Sequence, residues 1–185
     1  MDWFQSVRRI MGSGVIGAAI VACGCSTEPK TEADKSTLSA ECAAAMQRFR
    51  NEDPTLQALL DKSVGWAVFP EVGKAGLIAG GSYGRGEVYE KGVKIGYCDI
   101  SQATIGLQIG AQTFSELVVF LHADELEKFK TNQLEFAANL SAVALTAGAA
   151  GTADHSKGVI VFTLAKGGLM AEASVGGQQF TFKGL

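Results

Sequence analysis

Glycine constrains this chain more than any other residue. The sequence has 23 glycines and 3 prolines in 185 residues, and the glycines recur inside apolar, alternating stretches instead of gathering in one linker. Each glycine in a helix interior costs about 1 kcal/mol relative to alanine. A strand uses glycine where it bulges, bends or lets another backbone approach closely. The body of the chain is therefore expected to be β. Collagen, coiled coil and wholesale disorder are excluded by the same pattern. The length suits one domain of roughly 150 residues plus a short extension, and such a domain buries roughly 70% of its unfolded surface. Its core needs no disulfide to hold.

The period of apolar residues divides the chain. Thr37 can cap a helix with a stripe at Leu38, Cys42, Ala45, Met46 and Phe49, the spacing of one helical face. Arg48 and Arg50 fall at its C-terminal end, where positive charge suits the macrodipole. Asp53-Pro54 opens a second short helix over 54–62, with Leu56, Leu59 and Leu60 inward. From Val64 the period becomes that of strands: 64–70, 77–84, 86–90, a turn at Lys91-Gly92, then 93–97, 104–112 and 116–121. A helix is expected over 124–130, and residues 135–150 fit either class. Three further strands fall near 158–164, 168–175 and 178–183. The expected fold is α+β and mainly β: a Gly-rich antiparallel sandwich or barrel-like sheet capped by N-terminal amphipathic helices.

The formal charge is −3 and the basic residues are scattered singly, so a nucleic-acid partner is not expected. No run of 18 apolar residues occurs, which excludes a hydrophobic spanning helix. The N-terminus carries an address. Arg8-Arg9 precede a 10–22 apolar run of signal-peptide length, and Ile20-Val21-Ala22-Cys23 resembles the bacterial lipobox, in which the Cys is acylated and becomes residue one. Residues 1–22 are thus expected to be a lipoprotein signal peptide. Cys23 is the expected lipidation site, and 23–37 a flexible tether ahead of a domain at 38–185. Gly24 in place of Asp resembles the pattern sent on to the outer membrane, so the expected place is the cell envelope, on the periplasmic face of that membrane. Two or three acyl chains, at about 0.8 kcal/mol per buried methylene, make such an anchor nearly permanent.

Little in the chain resembles catalytic machinery. The segment Gly80-Gly81-Ser82-Tyr83-Gly84-Arg85-Gly86 lacks the spacing and the Lys-Ser/Thr ending of a phosphate loop, and reads as a kinked strand and hairpin. Asp154-His155-Ser156 are sequence neighbours, unlike the parts of a triad assembled in space, and read as a solvated turn. His122, Asp124, Glu125 and Glu127 are accounted for by acidic residues in a first helical turn. No catalytic residue, metal ligand or cofactor is expected. Cys42 and Cys98 could be bridged in an oxidising envelope or could be buried thiols.

The segment from Val64 to Leu121 resembles the SYLF domain family. Gly65-Trp66-Ala67-Val68-Phe69-Pro70 stands where the family reads Gly-Ile-Ala-Val-Phe-Pro. Lys74-Ala75-Gly76, Gly80-Gly81-x-Tyr83-Gly84-x-Gly86 and Ile105-Gly106-Leu107-Gln108-Ile109-Gly110-Ala111-Gln112 match at the family's spacing, followed by Leu117-Val118-Val119-Phe120. Gly167-Gly168-Leu169 and Ala173-Ser174-Val175 resemble its C-terminal strands, so the likeness covers 38–185. Tyr97-Cys98-Asp99 and Gly176-Gly177 depart from its pattern. The resemblance implies a lipid-binding domain for anionic phospholipid headgroups. It nominates Arg48, Arg50, Lys62 and Lys74 as headgroup contacts, with Leu38, Met46 and Phe49 able to enter the interface. Membrane phospholipids are then the expected partners. The alternative is a structural lipoprotein that binds other envelope proteins.

Overall fold

The computed structural model describes residues 27–76, 79–105, 112–134, 140–144, 146–154, 156, 158–165 and 178–185. The leader, Cys23 and the strand expected near 168–175 lie outside them. Seven strands form one sheet in the order β5-β6-β4-β1-β2-β3-β7. They are β1 (Gly65–Gly76), β2 (Ala79–Glu90), β3 (Val93–Ile105), β4 (Gln112–Phe120), β5 (Leu140–Ala144), β6 (Val159–Ala165) and β7 (Gln178–Gly184). All neighbours pair antiparallel except β5 with β6. The expected α+β, mainly antiparallel fold is present, and the sheet is open, with β5 and β7 as its edges. β2 runs unbroken through the glycine-rich segment, so the two pieces expected at 77–84 and 86–90 are one strand.

The helices are α1 (Glu32–Glu52), α2 (Leu56–Leu60), α3 (Ala123–Lys130) and α4 (Ala149–Thr152). α1 starts earlier than Thr37, inside the segment expected to be tether. Thr31 caps it by accepting the Asp34 N–H at 3.1 Å, and Lys35 pairs with Glu28 and Glu32 across its first turn. The buried residues of α1 are the five of the expected stripe. They lie on one face of the sheet, over Val68, Leu117, Val119, Ile160 and Phe162. Three contacts show that α1 crosses the strands. Ser39 reaches Glu87 on β2, Cys42 the Val68 carbonyl on β1, and Arg48 reaches Ser115 on β4.

Buried Asp53 joins the helices. Its Oδ1 accepts the Thr55 N–H, the Thr55 hydroxyl and the Gly148 N–H, and its Oδ2 accepts the Ala150 N–H at 2.7 Å. Burial alone would raise this carboxyl. The donors, led by the Ala150 N–H, hold it below its ordinary value.

The other face curls inward. Both neighbours of β1 shift register around Pro70, between Val68 and Glu71 against β2 and between Phe69 and Val72 against β4. Proline has no N–H for the ladder, so its place in a central strand is a bulge. Opposite it, a Cβ on Gly86 would strike the Val68 carbonyl oxygen, and one on Gly84 the carbonyl oxygen of Glu71. The glycines let β2 close down on the bend. Phe180 of edge strand β7 consequently stacks against Phe69 of β1 and Phe129 of α3, at centroid distances of 5.7 and 5.3 Å.

The curl also brings Gln178 of β7 to Glu116 of β4, where its Nε2 donates to Oε2 at 3.0 Å. Glu116 is wholly buried, and its Oε1 and the Oε1 of Gln178 have no hydrogen-bond partner among the described residues. The residues registered beside Glu116 are Phe69 and Thr163, neither charged. Burial pushes the Glu116 carboxyl up to about 8, opposed by the Gln178 hydrogen bond. The folded state therefore holds a proton that the unfolded chain releases near its ordinary value of 4.5. This contribution to stability is complete below that value and is lost as pH rises through about 8. Denaturant melts at pH 5 and pH 8.5 should differ by a few kcal/mol in that direction. Glu116→Gln should remove most of the difference, and an unchanged slope would refute the assignment.

Candidate lipid-facing site

The four nominated cations do not form one patch. Arg48 is exposed, but its Nη2 donates to Ser115 Oγ at 3.1 Å, and that hydroxyl donates to the Pro70 carbonyl at 2.8 Å. It thereby braces the bulge. Arg50 donates from Nε to Gln57 Oε1 at 2.9 Å and links α1 to α2. Lys62 is exposed beyond α2, and no described residue pairs with its ammonium. Lys74 stands in β1 with its backbone in register with Ser82 and Gln112. The stretch of β1 from Gly65 to Lys74 lies between Lys62 and Lys74, about 30 Å at strand rise. The apolar stripe is not available to a membrane either. Leu38, Met46 and Phe49 are 7%, 6% and 0% exposed because α1 lays them on the sheet.

A different group gathers near Lys62. The β2–β3 turn places Lys91 and Gly92 at positive φ, 49° and 81°, the conformation of a tight hairpin tip. The Lys91 N–H donates to the Val64 carbonyl at 3.2 Å, which docks this tip beside the Lys62 segment. Val93, next in the chain, is 66% exposed. Two exposed lysines and a bare valine thus share one end of the sheet. The sequence shows the Lys91-Gly92 turn, but the neighbour across β1 is set by pairing alone. Two nearby lysines are engaged, Lys130 with Glu90 and Glu127, and Lys128 with Asp124 and Glu125.

Beneath α1 lies a charged network that pattern reading missed. Glu87 is wholly buried on β2. Its Oε1 accepts from Lys94 Nζ at 2.6 Å and from Ser39 Oγ at 2.6 Å, and its Oε2 from the Tyr89 hydroxyl at 2.7 Å. Lys94 also lies 4.6 Å from the centre of the Tyr97 ring. Burial works against the Lys94 charge, yet the Glu87 hydrogen bond and charge raise it above its ordinary value. With both carboxylate oxygens satisfied, the pair fastens the helix to the sheet.

The two domain cysteines are free. Cys42 packs in the cluster under α1 and Cys98 in the cluster of the curled face, so the sheet stands between them and the bridge entertained from sequence does not form. Burial raises both thiols above their ordinary value, which suppresses thiolate reactivity. His122 is the N-cap residue of α3, and Asp154 accepts both the backbone N–H and the hydroxyl of Ser156 in a local turn.

Residues 101–184, from β3 to β7, match the family model described as Ysc84, Las17-binding protein actin regulator. Over that stretch the chain is similar to the SYLF family. A curated relative, beta cell expansion factor A of Aeromonas veronii, is 26% identical over 154 residues, which cover 82% of this chain. The chain spans 59% of that relative's length. The matched SYLF stretch holds Gln102, Glu116 and Gln178 of the curled face, while Lys62, Lys91 and the Pro70 bulge precede it.

The Glu87–Lys94 pair makes a direct prediction. Lys94→Met leaves a buried carboxylate without its cation and should cost about 3 kcal/mol of unfolding free energy. The double variant Glu87→Gln, Lys94→Met should recover part of that loss. Equal losses in the single and double variants would show that the pair is not coupled.

Proposed function

We propose that this protein is an envelope lipoprotein, held at a bacterial membrane by acylation of Cys23, whose SYLF domain makes weak, orienting contact with anionic phospholipid headgroups. The observation that carries the contact is the Lys91–Val64 hydrogen bond, which brings Lys62, Lys91 and exposed Val93 to one end of the domain. A basic residue near an anionic surface contributes about 1 kcal/mol, and one valine adds little more. On its own such a sum gives only weak, salt-sensitive binding to a bilayer. It can set the posture of a domain that an acyl anchor already keeps there. Lys62 stays in this reading from the nominated set, and Arg48 and Arg50 leave it because they brace the fold. A second reading, a lipoprotein that binds envelope proteins, is favoured by the SYLF family description, which names a protein partner.

Vesicle flotation of the full chain carrying Cys23→Ser tests the contact. Binding to phosphatidylglycerol vesicles should be salt-sensitive, absent with neutral vesicles, and reduced roughly tenfold or more by Lys62→Gln with Lys91→Gln. Arg48→Gln with Arg50→Gln should change it little. Absence of binding to either vesicle would sink the lipid reading and favour the protein-partner one.

A further inference from the structure

Between α1 and the bulged strands runs an open groove of about 510 Å³. Its apolar lining is Pro29, Leu38, Pro70 and the ring of Tyr83. Tyr83 is 46% exposed, among the few large apolar side chains left bare in the described residues. Its hydroxyl donates to Asp99 Oδ1 at 2.9 Å, so the polar edge of the ring is engaged and the ring itself is what the groove offers.

The rim of the groove is acidic. Asp34 and Glu41 stand two turns apart on one flank of α1, both exposed, and no described residue pairs with either carboxylate. Lys35, beside them, is held by Glu28 and Glu32. Glu71 adds a carboxylate on the strand wall. Arg85, the cation of that wall, is bound to Asp99 and to the Tyr83 hydroxyl. Such a groove suits a convex segment that presents lysines around an apolar side chain.

The chain itself carries that segment. Lys62, the Lys91-Gly92 hairpin tip and Val93, 66% exposed, gather at one end of the sheet, and no described residue pairs with either ammonium. The tip cannot enter the groove of its own domain, because the run of β2 from Tyr83 to the turn holds them apart, about 25 Å at strand rise. A contact between tip and groove therefore joins two copies. It is heterologous, since different patches meet, and it leaves a free tip at one end and a free groove at the other.

We propose that the tip formed by Lys62, Lys91 and Val93 docks in the groove of a second copy of this chain, its lysines against Asp34 and Glu41 and its valine against the Tyr83 ring. Ion pairs at an exposed rim contribute little each and are screened by salt, so the contact is weak between dilute copies. Copies anchored through Cys23 in one bilayer would meet at a high effective concentration. The docking itself does not rest on that anchor. It goes beyond the headgroup reading and competes with it, because a tip seated in a groove is withdrawn from the bilayer.

Sedimentation velocity without vesicles tests the docking, on the full chain carrying Cys23→Ser, over a series reaching about 1 mM. Self-association should rise with concentration at low salt and fall at high salt. Lys62→Glu with Lys91→Glu should weaken it about tenfold or more, and so should Asp34→Lys with Glu41→Lys. Each variant opposes like charges, whereas an equimolar mixture of the two restores opposite charges at every tip and groove. The mixture should associate at least as tightly as the parent chain, which also shows that both variants are folded. Val93→Asp, at an exposed position, should weaken association in the parent. Monomers throughout, a mixture that stays monomeric, or association untouched by either pair of substitutions overturns the proposal. So does equal pairing of the Lys62→Glu, Lys91→Glu variant with a chain carrying Glu52→Lys and Asp61→Lys, two exposed positions away from the groove, since attraction would then follow net charge alone. Flotation on phosphatidylglycerol is read separately: its failure refutes the headgroup contact and leaves self-association standing, and the converse result refutes the docking alone.

Discussion

The bend of β1 at Pro70 is the constraint on which the rest of the molecule depends. A central strand must offer both neighbours a ladder, and a proline cannot donate to either. The chain resolves this with a register shift on each side of the same place. Gly84 and Gly86 stand opposite with no side chain to obstruct the fold-over. One local irregularity therefore becomes a global one. The sheet bends, its concave face receives Phe129 of α3 and Phe180 of β7, and its far edge comes within hydrogen-bonding reach of β4. The bend also shapes the opposite face, where Pro70, Glu71 and Gly73 line an open groove beside α1.

The two faces handle buried charge differently. Under α1, Glu87 has a cation and two hydroxyl donors, so its desolvation is offset by interactions on both oxygens. On the curled face, Glu116 has among the described residues one amide donor and an oxygen without a partner. The physically cheaper state there is the protonated acid. The first carboxylate ties α1 to β2 and β3. The second makes closure of the curl dependent on pH. A buried polar group left incompletely paired is uncommon in native folds and is costly when it occurs, so its position where β7 meets β4 across the curl is the feature of this core least explained by packing.

Local features were legible in the sequence. The stripe at Leu38, Cys42, Ala45, Met46 and Phe49 is the buried face of α1, and Leu56, Leu59 and Leu60 are that of α2, because helical periodicity is a short-range property of the chain. The acidic first turn and basic last turn of α3 fall where they were expected. What escaped was whatever depends on pairing across the sheet. The assignment of Cys42 and Cys98 to opposite faces follows from strand register, and spacing in the sequence carries no trace of it. Residues 135–150 were ambiguous because they hold both classes: β5 ends at Ala144 and α4 begins at Ala149.

The same limit explains why the nominated headgroup contacts divided. A charge in a sequence looks free until its surroundings are known. Arg48 and Arg50 lie at the end of α1, where the macrodipole alone would justify them, but the crossing of α1 over β4 delivers Arg48 to the hydroxyl that supports the bulge. Lys91 had drawn no attention because it sits in a turn, and a turn residue is ordinarily read for its backbone. Its side chain matters here because the hairpin closes against Val64. For a domain near a membrane, the cations that count are those the fold has left without work, and among the described residues Lys62 and Lys91 stand together at one end of the sheet.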